Sequence, residues 1–150
     1  MQSGVERRPW KEDILGEYPR LNKKFKLDEV ISEMGFCIIV PTYNNGGSFR
    51  TELNLNSIFS QNYTNYKVVV IDDASTDNTP DIIKKYLNFY GISEKKCELV
   101  VNTENKKALE NIYMAIMGRC DGYEVAVIVD GDDELIGFNV LKVLNAVYAG

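Results

Sequence analysis

Asp130-Gly131-Asp132-Asp133-Glu134 puts four carboxylates into five consecutive positions, directly after the apolar run Val125-Ala126-Val127-Ile128-Val129. A second acidic pair, Asp72-Asp73, follows another run rich in valine, residues 67–71. Carboxylates in such places are costly unless paired, hydrogen-bonded or close to a cation. In an extended segment residues two apart face the same way, so Asp130 and Asp132 are expected to converge on one point, with Gly131 leaving room for a ligand. Hard oxygen donors at that density suit magnesium, manganese or calcium. The plainer alternative is an acidic turn that caps the next helix through Asp132 or Asp133. Asp77 and Thr79 have a structural reading: an Asx turn, then a helix N-cap with Pro80 at the first helical position.

A third loop, Pro41-Thr42-Tyr43-Asn44-Asn45-Gly46-Gly47, closes the first apolar run, residues 36–40. Pro41 is expected to stop that strand's ladder, the glycines to admit a close ligand, and Tyr43 to offer a ring face for stacking. A plain turn into a helix is the alternative. Histidine is absent, which removes His-based triads and the commonest zinc ligand. Chemistry here must run on carboxylates, lysines, tyrosines or a hard metal.

The elements that must carry these loops follow from periodicity. Continuous apolar runs at 36–40, 67–71, 97–101 and 125–129 read as strands buried on both faces, the last expected to be central. Between them lie helical patterns. Leu55, Ile58 and Phe59 share a face within 48–61; Ile82, Ile83, Tyr86, Leu87 and Tyr90 within 80–90; Ala108, Leu109, Ile112, Tyr113 and Ile116 within 107–117. A last helix is expected over 139–148. Strand and helix in alternation predict an α/β domain with a mostly parallel sheet covered on both faces, and a ligand at the carboxyl ends of the strands. Residues 1–35 read as an arm with a short helix over 27–34, and residues 36–150 as the domain.

Composition sets the outer limits. A chain of 150 residues suits one domain. A formal net charge of −5 offers no excess of cations for wrapping nucleic acid. The apolar runs, about five residues each, are far short of a membrane span, and the N-terminus carries no signal-peptide pattern. Three cysteines with no paired spacing predict free thiols and a cytoplasmic, reducing setting.

Four ordered segments, Ile38-Ile39-Val40-Pro41-Thr42-Tyr43-Asn44, Ser57-Ile58-Phe59-Ser60-Gln61, residues 70–79 and Val129-Asp130-Gly131-Asp132-Asp133, resemble family 2 glycosyltransferases of the Rossmann-like GT-A fold. The match in order and spacing runs from about residue 36 to about residue 135. The resemblance implies transfer of a sugar, with inversion, from a nucleotide-diphosphate donor that is typically UDP-linked. It implies that Pro41, Thr42 and Tyr43 line the nucleoside pocket and that Asp73 accepts a hydrogen bond from the base. Asp130 would lie near the ribose and sugar beside Gly131, and Asp132, with Asp130, would hold a divalent cation, Mn2+ or Mg2+. Where relatives often carry a glycine beside a basic residue, this chain reads Asn105-Lys106-Lys107-Ala108-Leu109; the resemblance implies that Lys107 touches the diphosphate, the alternatives being that it crowds the pocket or is a solvated lysine. Family members continue well past this region, so the acceptor half and the general base are expected beyond Gly150. The acceptor, whether glycan, lipid or protein, is not specified. Two other readings stay open: a nucleotide-sugar-binding module without catalysis, and a phosphoacceptor receiver domain. The receiver is weakened because Asn102, not an aspartate, follows the third strand.

Overall fold

The computed structural model describes residues 32–149 of the chain. Strands and helices alternate in it: β1 (Phe36–Thr42), α1 (Arg50–Phe59), β2 (Tyr66–Asp72), α2 (Thr79–Phe89), β3 (Cys97–Val101), α3 (Ala108–Gly118), β4 (Val125–Ile128) and α4 (Val140–Ala149). Every strand pair is parallel, and the sheet order is β3-β2-β1-β4. The predicted helix over 27–34 lies outside the described residues except for 32–34, which are not helical.

The period of two along β1 divides the core. Phe36, Ile38 and Val40 turn to one face, where they meet Leu55 and Ile58 of α1, Ile83 of α2 and Leu141 of α4. Cys37 and Ile39 turn to the other face, beneath Ala115 and Ile112 of α3. Helices therefore cover both faces, as the periodicity predicts.

Several local expectations need correction. Pro41 does not end the ladder: β1 continues to Thr42, in register with Asp72. The carbonyls of Ile39 and Pro41 both accept bonds from the β4 side, from Val129 N and Gly131 N. Backbone groups of one residue point the same way in a parallel ladder, so the N–H that Pro41 lacks would face β4's end, past the last strand pair Ile39–Ile128. β4 is not central but an edge of the sheet, and Ile128 is 50% exposed. Its apolar sequence is matched by pairing on one side only among the described residues. α1 starts two residues later than the pattern suggests because Ser48 and Phe49 both have positive φ.

The helix-face prediction for α3 is also overturned. Leu109, Tyr113 and Ile116 are exposed, and the packed residues are Asn111 and Ala115, with Ile112 partly covered. Small Ala115 lets the helix approach the sheet, and the chain just after it is tied down covalently. Cys120 forms a disulfide with Cys37, their Cα atoms 5.7 Å apart and their positions 83 residues apart in sequence. The expectation of three free thiols thus holds only for Cys97, whose thiol burial pushes up to about 12. That withdraws the cysteine argument for a reducing compartment. No helix among the described residues is long and apolar enough to cross a membrane.

Candidate functional site

Sequence order in the sheet reverses between β1 and β4, and the loops that follow β1, β2, β3 and β4 gather there. They enclose an open cleft of about 330 Å³ lined by Pro41, Thr42, Tyr43, Asp73, Lys107, Asp130, Gly131 and Asp132, together with Asn45, Asn105, Ala108 and Asn111. Every site residue named from the sequence lies on this one cleft.

The first two loops are locked together by the Ser-Thr-Asp-Asn-Thr run after β2. Asn44 N donates to Ser75 Oγ at 2.9 Å, and Thr76 N returns a bond to Asn44 Oδ1 at 2.8 Å. Gly46 N donates to Asp77 Oδ2 at 3.0 Å. Asp77 Oδ1 takes Thr79 N at 2.9 Å, the expected Asx turn. Burial pushes the Asp77 carboxyl up, but the Thr79 hydroxyl and the Thr79 and Gly46 N–H groups outweigh it and hold it below its usual value. Thr79 is not the N-cap. Asn78 holds that place without a side-chain cap bond, and Thr79 Oγ1 instead accepts from Asn45 N at 2.9 Å. Asp72 is also internal: fully buried, it takes Ser75 N and Ser75 Oγ at 3.0 and 2.6 Å. Of the two acids at the end of β2, only Asp73 reaches the cleft.

Asp73 is 6% exposed and organises the third loop. Its Oδ1 accepts from Lys106 N at 2.7 Å and Asn102 Nδ2 at 3.1 Å, and its Oδ2 from Lys107 N at 3.0 Å. Asn105 Nδ2 donates to the Asp73 carbonyl at 3.2 Å. Burial pushes this carboxyl up, while Lys106 N–H, the amides of Asn111 and Asn102, and Lys107 N–H together hold it below the ordinary carboxylate value. A carboxylate offers about four acceptor positions, so Oδ2 retains capacity toward the cleft. Asn111 was not foreseen. It is 3% exposed, and its Oδ1 is fixed by Asn102 Nδ2 at 2.8 Å. Its amide helps hold the Asp73 charge, yet Nδ2 meets no acceptor at hydrogen-bond geometry. The one available signal was a polar residue at helical spacing from Ala115 on the packed face.

Lys107 has a backbone conformation unusual for a residue with a side chain. Its φ of 69° and ψ of 157° lie in a region that is essentially glycine-only.

The acidic segment after β4 is a tight turn, not an extended strand end: Asp133 N donates to Asp130 O at 2.9 Å. The turn, and not a period of two, is what brings the carboxylates together, and it brings Asp133 as well. One oxygen from each of Asp130, Asp132 and Asp133 lies within 4.8 Å of the others, and all three residues are exposed. The helix-cap alternative fails, because α4 begins only at Val140. Gly131 leaves room chiefly for protein: a Cβ there would sit 2.4 Å from Thr42 Oγ1.

Residues 37–149 match the family model described as glycosyl transferase family 2. The chain belongs to that family. Among its relatives, poly(ribitol-phosphate) beta-N-acetylglucosaminyltransferase TarS of Staphylococcus aureus is 38% identical over 102 residues, 67% of this chain and 16% of that protein. The uncharacterized glycosyltransferase YibD of Escherichia coli is 40% identical over 53 residues, 35% of this chain and 15% of that one. The chain thus spans only a small part of the length of these curated relatives. The crystal structure of S. aureus TarS 1-349 superposes with a TM-score of 0.63 at 30% identity, covering 77% of this chain and 32% of that one. The mannosyltransferase PcManGT of Pyrobaculum calidifontis, in complex with GDP-Man and Mn2+, gives 0.66 at 27% identity over 93% of this chain and 40% of that one. TarS 1-349 has also been solved with UDP and with UDP-GlcNAc.

Proposed function

We propose that this chain is the donor-binding part of an inverting glycosyltransferase that takes its sugar from a nucleoside-diphosphate sugar, UDP-linked foremost, with a divalent cation, Mn2+ or Mg2+. The observation that carries the reading is the convergence on one cleft of Asp73 and the 130–133 turn, in a family 2 chain. The UDP, UDP-GlcNAc, GDP-Man and Mn2+ held by related structures support it.

In this reading Pro41 and Thr42 wall the base, and Tyr43, 47% exposed, stacks on it. Asp73 Oδ2 accepts a base N–H. The unsatisfied Nδ2 of Asn111 donates to a base carbonyl, a pairing that a keto base such as uracil completes. Lys107 meets the diphosphate, and Asp130 and Gly131 border the ribose and sugar. The donor set fits a hard cation: Asp132 and Asp130, joined by Asp133, present carboxylate oxygens at the spacing noted above. Bound there, a cation neutralises charge on the departing diphosphate. The acceptor is a glycan, lipid or protein hydroxyl, and none of the cleft residues is assigned the role of deprotonating it.

Calorimetry of UDP with manganese and with a chelator, on wild type and Asp132→Ala, tests this. Metal and nucleotide should each raise the other's affinity by the same factor, because linkage is reciprocal. Asp132→Ala should remove that coupling, keep metal-free UDP binding, and leave unliganded stability level or higher, since it relieves carboxylate repulsion. Undiminished coupling in a folded Asp132→Ala would overturn the cation assignment.

A further inference from the structure

The Ser57–Gln61 stretch, the end of α1 and the two residues after it, belongs to the family-like pattern, yet neither Ser57 nor Gln61 reaches the cleft. Asn54 and Ser57, at i and i+3, share one face of α1, and Gln61 follows just past the helix end with its contacts on the same side. That face is turned inward: Asn54 is 1% exposed and Gln61 is buried. Polar groups there are unfavourable unless bonded, and all three are bonded to the backbone that joins β4 to α4. Asn54 Nδ2 donates to the carbonyls of both Asp130 and Asp133, each at 2.9 Å. Ser57 Oγ accepts from Leu135 N at 2.9 Å. Gln61 Nε2 donates to Gly137 O at 2.7 Å, and its Oε1 accepts from Leu141 N at 3.3 Å.

The Asn54 contact has a particular consequence. The 130–133 turn carries three carboxylates whose oxygens crowd within 4.8 Å, and their mutual repulsion favours opening it. Its own closing bond is Asp133 N to Asp130 O. Asn54, itself buried, bridges the first and last carbonyls of the turn with a single amide, while the three acids are exposed. We propose that Asn54 is a positioning residue that holds the 130–133 turn closed in the cation-free protein, so that its carboxylates stand ready for the ion. Ser57 and Gln61 carry the anchorage onward along the same connection. The inference rests on the reading of that turn as the cation site.

The test uses the whole chain and measures the factor by which manganese raises UDP affinity, with a chelator as the reference. Asn54→Ala should lower that factor by about 10–100-fold, the usual effect of removing a partner that orients a metal ligand. UDP affinity in chelator should stay within about twofold, because no base or phosphate contact is touched. Gln61→Ala releases residues 137 and 141 but not the turn, so it should lose stability and keep the factor, a split that a merely structural role for Asn54 would not produce. Asn54→Leu, of similar size but without the donor or a charge, should reproduce the Asn54→Ala result and serves where the cavity left by alanine prevents folding. A wild-type protein with no coupling at all would overturn the cation site itself. Coupling present in wild type and undiminished in both Asn54 variants would overturn this inference alone.

Discussion

Replacing Lys107 with glycine should make the protein more stable while weakening its hold on a nucleoside diphosphate. The backbone at Lys107, φ 69° and ψ 157°, lies in a region that costs a residue with a side chain about 1–3 kcal/mol. Glycine enters it freely but loses more backbone entropy on folding, about 0.5–1 kcal/mol. The bonds of this residue, Lys107 N to Asp73 Oδ2 and Asn111 N to Lys107 O, are made by its main chain and survive the change. The balance is a gain of about 1 kcal/mol, or about 3–5 °C in Tm for a domain of this size. On the binding side, the loss of one charge-assisted contact to the diphosphate should weaken UDP about tenfold, or about 1.4 kcal/mol. Uridine, which has no phosphate, should bind as before. Urea unfolding read for midpoint and slope, with UDP and uridine calorimetry, resolves the two effects. A midpoint that stays level or falls refutes the strain argument. Unchanged UDP affinity in the stabilised variant refutes the phosphate contact, and a parallel fall for uridine would mean that the loop had moved.

Asp73→Asn should weaken UDP binding by about 1–3 kcal/mol and also destabilise the fold, because an NH2 group would face one of the N–H donors of residues 106 and 107. The Asp73 carboxyl is held below its unfolded value, so its stabilisation is complete above about pH 4 and is lost as pH falls through the folded value. The gap in unfolding free energy between wild type and Asp73→Asn should therefore be flat near neutrality and narrow below about pH 4; a gap independent of pH would refute it. For the disulfide, thiol titration of the denatured, unreduced chain should find one free thiol, Cys97, rising to three on reduction. Closing a loop between residues 83 positions apart should make the oxidised form more stable by as much as about 4 kcal/mol in urea unfolding. Equal midpoints for the oxidised and reduced forms would show that the bridge does not hold α3 in place.

The candidate site was legible in the sequence as far as local signals reach. Apolar runs that stop abruptly locate strand ends, and a parallel sheet collects those ends on one edge. Asp73 and Asp130 to Asp132 follow from this rule alone, Lys107 from the family resemblance, and all of them line one cleft. What the sequence hid is which acids are already occupied. Asp72 and Asp73 are neighbours with identical side chains, yet one is consumed by Ser75 and the other faces the cleft. Asn54 and Asn111 carry no local signal of their roles, because their partners lie 76 residues away in one case and across a neighbouring loop in the other.

By itself the sequence determined the order of elements, the parallel sheet and the loops that carry the chemistry, since periods of 2.0 and 3.6 are properties of the local chain. Tertiary structure decided the rest. It set β4 at the edge, turned α3 onto Asn111 and Ala115 with its apolar stripe outward, and joined Cys37 to Cys120. It also folded 130–133 into a turn and forced Lys107 into a glycine conformation to reach Asp73. Each of these depends on contacts between segments far apart in sequence, and a local pattern carries no record of its distant partner.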